Sequence, residues 1–176
     1  MAFRVPPNQD RYKQAHQRML RVLWWNPDIL AKAVGVEKVW CRSMEHIIDP
    51  NTQERVDLLF QDKYSASRPE KGTTCFVVEL KSELGDHEIV GQLKKAVRRM
   101  EKAGKSTKHW DKTVGIAIAK KYTQSGMQLL WDEGFRVFQW SEVGDGIQLK
   151  EIHRPPVKRR AMSKEERRKF KDESGS

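Results

Sequence analysis

Two apolar runs of this chain carry charges where charges are expensive to place. Arg55-Val56-Asp57-Leu58-Leu59-Phe60 encloses Asp57, and Cys75-Phe76-Val77-Val78-Glu79-Leu80-Lys81 encloses Glu79 and Lys81. Both runs have the length and the β-branched, aromatic composition of strands. Residues i and i+2 of a strand share a face, so Glu79 and Lys81 project together. If the Asp57 run is the neighbouring strand, two carboxylates and an ammonium converge on one spot. Unpaired charges buried in an apolar sheet are strongly disfavoured, so the fold must give these three a common use. Two carboxylates can hold a hard divalent cation such as Mg²⁺, with Mn²⁺ as a substitute. A lysine beside them can position or deprotonate a water, or neutralise charge developing on a phosphate. The set suits metal-dependent phosphodiester hydrolysis.

The rest of the chain reads as alternating elements. Residues 10–25 form an amphipathic helix, with Tyr12, Ala15, Met19, Val22 and Leu23 at helical spacing. Asn26-Pro27 ends it, and Pro27 opens a short helix over 28–33 that stops at Gly35. Strands follow at 36–49 and 54–62, with a turn at 50–53 and a polar loop at 63–73. A third strand at 74–82 turns Val77, Glu79 and Lys81 to one side and Phe76, Val78 and Leu80 to the other. Asp86 caps a helix running to about Lys102, whose apolar stripe is Ile89, Leu93, Ala96, Val97 and Met100. Gln92 lies at the edge of that stripe, and Lys95 and Arg99 share its flank. Residues 104–107, Gly-Lys-Ser-Thr, are expected to be loop; without the earlier glycine and a feeding strand they are no phosphate-binding loop. A strand at 114–119, a helix at 123–132 and a strand at 135–140 complete the order, and Asp145-Gly146 is a hairpin-turn signal. Patterning alone thus predicts an α/β chain of the order αβββαβ.

Asp57, Glu79-Leu80-Lys81 and Gln92 on the following helix resemble the motif of the PD-(D/E)XK nuclease superfamily. Asn26-Pro27-Asp28-Ile29-Leu30, Arg55-Val56-Asp57-Leu58-Leu59 and Val77-Val78-Glu79-Leu80-Lys81 narrow the resemblance to the RecB-like nuclease domain of archaeal and actinobacterial mismatch endonucleases. It covers roughly residues 10–143. It implies a restriction-endonuclease-like αβββαβ core, with a central mixed five-stranded sheet flanked by helices. It implies Asp57 and Glu79 as metal ligands with the Leu80 carbonyl, Lys81 as the group that activates or orients water, and Gln92 as a positioning residue. Many family members also carry a Glu on the first helix. Here Gln14, His16 and Gln17 are the polar candidates on that helix, and Glu45 on the first strand is a further candidate ligand.

The charge balance agrees with a polyanionic partner. The 34 Lys and Arg against 24 Asp and Glu give a formal net charge of +10, which favours nucleic acid. Arg55, Lys94, Lys95, Arg98 and Arg99 are the candidate phosphate contacts, and Trp110 is the tryptophan best placed to stack on a base. The other tryptophans, Trp24 and Trp25 among them, read as core anchors. Cys41 and Cys75 form no CxxC pair and read as reduced core thiols. No apolar stretch reaches membrane-spanning length and no signal-peptide core is evident, so a cytoplasmic protein is expected. Residues 1–152 read as the nuclease-like domain. Residues 153–176 read as a basic tail, either a phosphate-binding arm or a solubilising segment.

The expectation is a Mg²⁺-dependent endonuclease acting on nucleic acid, DNA first, as a homodimer or within a complex. Two rivals stand beside it: a catalytically silent nucleic-acid-binding protein on the same fold, and an RNA-directed nuclease.

Overall fold

The computed structural model describes residues 7–49, 51–63, 72–144 and 146–156. Pro50, Asp145, most of the 63–73 loop and the tail residues 157–176, with Lys158, Arg159 and Arg160, lie outside the described residues.

The amphipathic first segment forms helix α1, Pro7–Trp25, and Asn26-Pro27 separates it from α2, Pro27–Val34. Gly35 ends α2 in the left-handed region, at φ 78°, where glycine carries no Cβ penalty. Three strands follow: β1 Trp40–Asp49, β2 Glu54–Gln61 and β3 Thr74–Gly85. Then come α3 His87–Thr107, β4 Lys112–Tyr122, α4 Gln124–Asp132, β5 Arg136–Val143 and β6 Gly146–Glu151. The strands lie in the order β1-β2-β3-β4-β5-β6. The β1–β2, β2–β3 and β5–β6 pairs are antiparallel, while β3–β4 and β4–β5 are parallel. Each parallel step is made by a crossover helix, α3 and then α4.

The expected α/β core is present, with two corrections. The sheet has six strands rather than five. In β6, half-buried Ile147 and Leu149 alternate with exposed Gln148 and Lys150, the pattern of an edge strand with one solvated face. The second correction is that residues 104–107 are helical, not loop. The helix α3 stops only at Lys108, whose backbone N–H donates to the Gly104 carbonyl at 2.7 Å.

Side-chain alternation divides the interior into two apolar layers. Phe60, Phe76, Val78, Leu80, Ile116, Ile118 and Phe138 pack under α1 and α2 with Leu20, Leu23 and Leu30. Cys75, Val77, Ala117 and Val137 pack under α3 and α4 with Ile89, Leu93, Ala96 and Leu130. The predicted apolar stripe of α3 is buried in full. Each fully buried Leu or Ile contributes roughly 1.5–3 kcal/mol. Trp140 is buried as expected, whereas Trp25 is 77% exposed and anchors nothing.

Candidate active site

The site forms where β2 and β3 part. Their ladder runs from Gln61↔Cys75 to Leu58↔Val78, so Asp57 and Glu79 stand one step beyond its end. There a side chain replaces a ladder bond: the Leu80 backbone N–H donates to Asp57 Oδ2 at 2.7 Å. Alternation also breaks at this point. Leu58 and Phe60 pack on the α1 side, yet both Val56 and Leu59 pack on the α3 side. The break sets Asp57 just past the end of the β2–β3 ladder, within reach of α1.

From α1, His16 Nε2 lies 3.2 Å from Asp57 Oδ1. Both oxygens of Asp57 are thereby engaged. One residue along, Gln17 Nε2 donates to Glu45 Oε1 at 3.3 Å. Glu45 lies between Met44 and His46, which pair with Leu58 and Val56, so it is level with Asp57 on the next strand. Its φ of 49° is an uncommon conformation for a non-glycine residue within a strand. From α3, Glu88 Oε1 lies 3.9 Å from Lys81 Nζ and accepts from Gln92 Nε2 at 3.4 Å.

Glu79 stands out among the described residues. It is 5% exposed, and its Oε2 is buried without a hydrogen-bond partner. Burial pushes its carboxyl up to about 9, and the Asp57 charge adds to the rise; Lys81 and the Asp57 backbone N–H offset it only in part. An acid held in this way is only partly compensated, and its donor set could hold a divalent cation. Among the described residues no three His, Cys, Asp or Glu side chains gather into a preformed metal cage. The two carboxylates of Asp57 and Glu79 could hold such a cation between them. Gln92 Oε1 is likewise buried without a partner.

The predicted phosphate contacts divide. Arg55, Gln92 and Lys95 line one cavity of about 150 Å³ with Ile48 and Glu54. Lys95 pairs with Glu54 at 2.7 Å, and Arg99 donates to the Ile48 carbonyl at 3.2 Å. Lys94 turns the other way, away from the flank of Lys95 and Arg99, and pairs with Glu133 just beyond α4. Arg98 is exposed. Trp110 lies in the loop between α3 and β4. It is half-buried, and its Nε1 donates to the Met100 carbonyl at 3.1 Å. Cys41 and Cys75 are free thiols whose burial pushes them up to about 11 and about 12, so both stay protonated near neutrality.

Sequence reasoning missed Glu88. Its signal was present, since it lies four residues before Gln92 and shares a helix face with it. His16 was visible as a polar residue of α1. Its contact with Asp57 depends on how α1 crosses the sheet.

No protein-family model and no curated protein matches the chain. Two solved structures are similar to it. One is the EndoMS-dsDNA2 complex, at 23% identity and a TM-score of 0.51, covering 68% of this chain and 41% of that one. The other is a repair endonuclease from Pyrococcus abyssi, at 21% identity and a TM-score of 0.50, covering 69% of this chain and 44% of that one. The match thus spans less than half of either structure. With its mixed sheet and flanking helices, the chain has the fold of these two endonucleases, the restriction-endonuclease-like α/β fold that its D…ExK motif implies.

Proposed function

We propose that the chain is a divalent-cation-dependent nuclease that hydrolyses phosphodiester bonds in DNA. One observation carries the reading: the buried, unpartnered Oε2 of Glu79, beside the anchored carboxylate of Asp57 and two residues from Lys81. Asp57, Glu79 and the Leu80 carbonyl hold Mg²⁺ or Mn²⁺. Such a cation polarises a phosphoryl oxygen and acidifies water. Leu80 N–H and His16 fix the orientation of Asp57. Lys81 presents its ammonium to the attacking water and the phosphate, and Glu88 holds the lysine. Gln92 offers an unpaired amide oxygen to water or substrate. Arg55 and Lys95 flank the cleft as phosphate contacts. DNA is favoured because one structural neighbour is a complex with dsDNA and the other is a repair endonuclease; the net charge of +10 agrees.

With two carboxylates and, among the described residues, no preformed cage, Mg²⁺ should bind the free protein no tighter than roughly millimolar, with substrate phosphate supplying further oxygens. Micromolar Mg²⁺ binding by calorimetry would reveal a third acidic ligand, Glu45 first.

The decisive assay incubates the full chain with labelled mismatched, branched, single-stranded and linear DNAs, and with RNA. Mg²⁺ or Mn²⁺ is added, and EDTA serves as the control. Cation-dependent cleavage of DNA is expected. Binding without cleavage under any cation would leave a nucleic-acid-binding protein instead, and cleavage confined to RNA would overturn the choice of substrate.

A further inference from the structure

A second cavity, of about 380 Å³, opens between β1 and α3. Its size falls within the roughly 300–1,000 Å³ that small-molecule sites occupy. Arg42, Leu59, Gln61, Met100 and Trp110 are among its lining residues. Ile48 lines both this cavity and the cleft of Gln92 and Lys95, so the two adjoin.

Three features define what would fit. Gln61 is 1% exposed and its Nε2 has no partner. A buried amide donor left unpaired is strongly unfavourable, and an apolar side chain in the same space would avoid that burden. An occupant that offers an acceptor at the inner end would satisfy it. The second feature is the wall. The Trp110 indole is pinned by its bond to the Met100 carbonyl and fills the space that a Cβ at Gly104 would need. A ring held this firmly is preorganised to stack on another flat ring. The third is the rim, where exposed Arg42 contributes a positive charge suited to an anion.

A nucleotide is a flat ring bearing an acceptor, joined to an anion, and meets all three features. We propose that this cavity binds a single nucleotide unit, with its base against Trp110, a base acceptor on Gln61 Nε2 and its phosphate toward Arg42. The occupant is either a free nucleotide or one base turned out of a strand lying in the adjoining cleft. The binding needs no divalent cation, so it stands apart from the proposed hydrolysis.

The test is made in EDTA with the full chain. In one arm the four deoxynucleoside 5′-monophosphates are titrated, with inorganic phosphate as competitor, and tryptophan fluorescence is read. In the other, a single-stranded oligonucleotide carrying one 2-aminopurine is titrated, and quenching of that base is read. Saturable binding in either arm is expected, weakened at least tenfold by Gln61→Leu and by Arg42→Ala. The melting temperature of Gln61→Leu should be unchanged or higher. Response to the monophosphates identifies the free nucleotide, and response to the oligonucleotide alone identifies a base within a strand. The proposal is overturned if neither probe binds, if Gln61→Leu binds as tightly as the parent, or if inorganic phosphate competes as well as a monophosphate. Should Gln61→Leu fail to fold, the surface variant Arg42→Ala decides alone.

Discussion

Two charged clusters sit in this sheet, and they solve the same problem in opposite ways. At the β5–β6 end, Arg136 donates to both oxygens of Glu151, at 2.7 and 2.6 Å, and to the Val34 and Ala33 carbonyls at the close of α2, at 2.9 and 3.4 Å. The Arg136 guanidinium holds the Glu151 carboxyl below the usual carboxylate range. At the β2–β3 end, Glu79 has an oxygen with no partner and a carboxyl pushed up by burial. The first cluster is complete within the chain, joining a helix terminus to the sheet edge. The second leaves an acceptor open, at the place where the proposed cation would sit. Strongly raised buried acids cluster at functional sites and salt-bridged ones at structural contacts, so the opposite pKa directions fit the two roles proposed for these clusters.

The comparison breaks most visibly in activity. Asp57→Asn keeps an acceptor for the Leu80 N–H but loses the charge, and Lys81→Ala removes the ammonium. Each should lower cleavage by on the order of 10³-fold or more, the scale of removing one group that stabilises transition-state charge, with little change in melting temperature. Arg136→Met should leave turnover at saturating DNA unaltered. Near-parental cleavage by either site variant in a single-turnover assay would sink the assignment.

Stability should show the reverse. Arg136→Met strips Glu151 of its counter-charge and leaves two helix-terminal carbonyls to water. Its side chain and that of Glu151 are both partly buried, at 29% and 21% exposure. The loss should be about 2–3 kcal/mol in a denaturant titration, below the range for fully buried pairs because water reaches this one. If Arg136→Met were neutral while Lys81→Ala unfolded the chain, the two clusters would have been assigned the wrong way round.

How far the sequence discloses this contrast differs between the two. Asp57, Glu79 and Lys81 were legible because each is a charge inside an apolar run, and period-2 spacing fixes their common face. The order of elements was legible for the same reason, as the β3 and α3 patterns show: every apolar residue predicted for the α3 stripe is buried. Three things were hidden. Edge strand β6 has too few apolar residues to separate it from loop. Gly104 looked like a loop signal, yet it is a helical glycine that makes room for Trp110. Lys94 and Lys95 are adjacent in sequence, but about 100° of helical turn sends one to Glu133 and the other to Glu54. Arg136 carried no local sign of its role, since its helix-terminal partners lie more than a hundred residues away, |i−j| being 102 and 103.

A smaller effect comes from relieving Glu79. Its carboxyl rises from an ordinary 4.5 to about 9 on folding, so between those values the folded chain binds the extra proton. Stability of the cation-free protein must then fall as pH rises through that window, and level off above it. Glu79→Gln removes the titrating group while keeping its shape. It should stabilise the cation-free protein by about 2 kcal/mol at pH 8, flatten the decline, and give no gain at pH 4. Urea midpoints in EDTA across that range measure it. A Glu79→Gln variant no more stable than its parent at pH 8 would mean that the buried acid is already compensated within the chain.

The smallest effect is expected at Glu151, and its sign is opposite. The folded carboxyl lies below its ordinary 4.5, so its contribution is present in full above that value and is lost as pH falls through the folded one. Glu151→Gln should therefore cost most near neutrality and nothing in strong acid, where the parent's own carboxylate is protonated. The magnitude should be about 1 kcal/mol, at the upper end for pairs that solvent screens, because the geometry is bidentate. Gln retains one acceptor for Arg136, and the α2 carbonyls keep their donor, so the loss must be smaller than for Arg136→Met. Thermal melts of Glu151→Gln and Glu79→Gln, taken together from acid to pH 8 in EDTA, put the comparison on one axis. The two difference curves should diverge with rising pH, one variant losing stability relative to the parent and the other gaining it. Parallel curves would show that the two carboxylates occupy equivalent environments, and the distinction between a finished ion pair and an open site would fail.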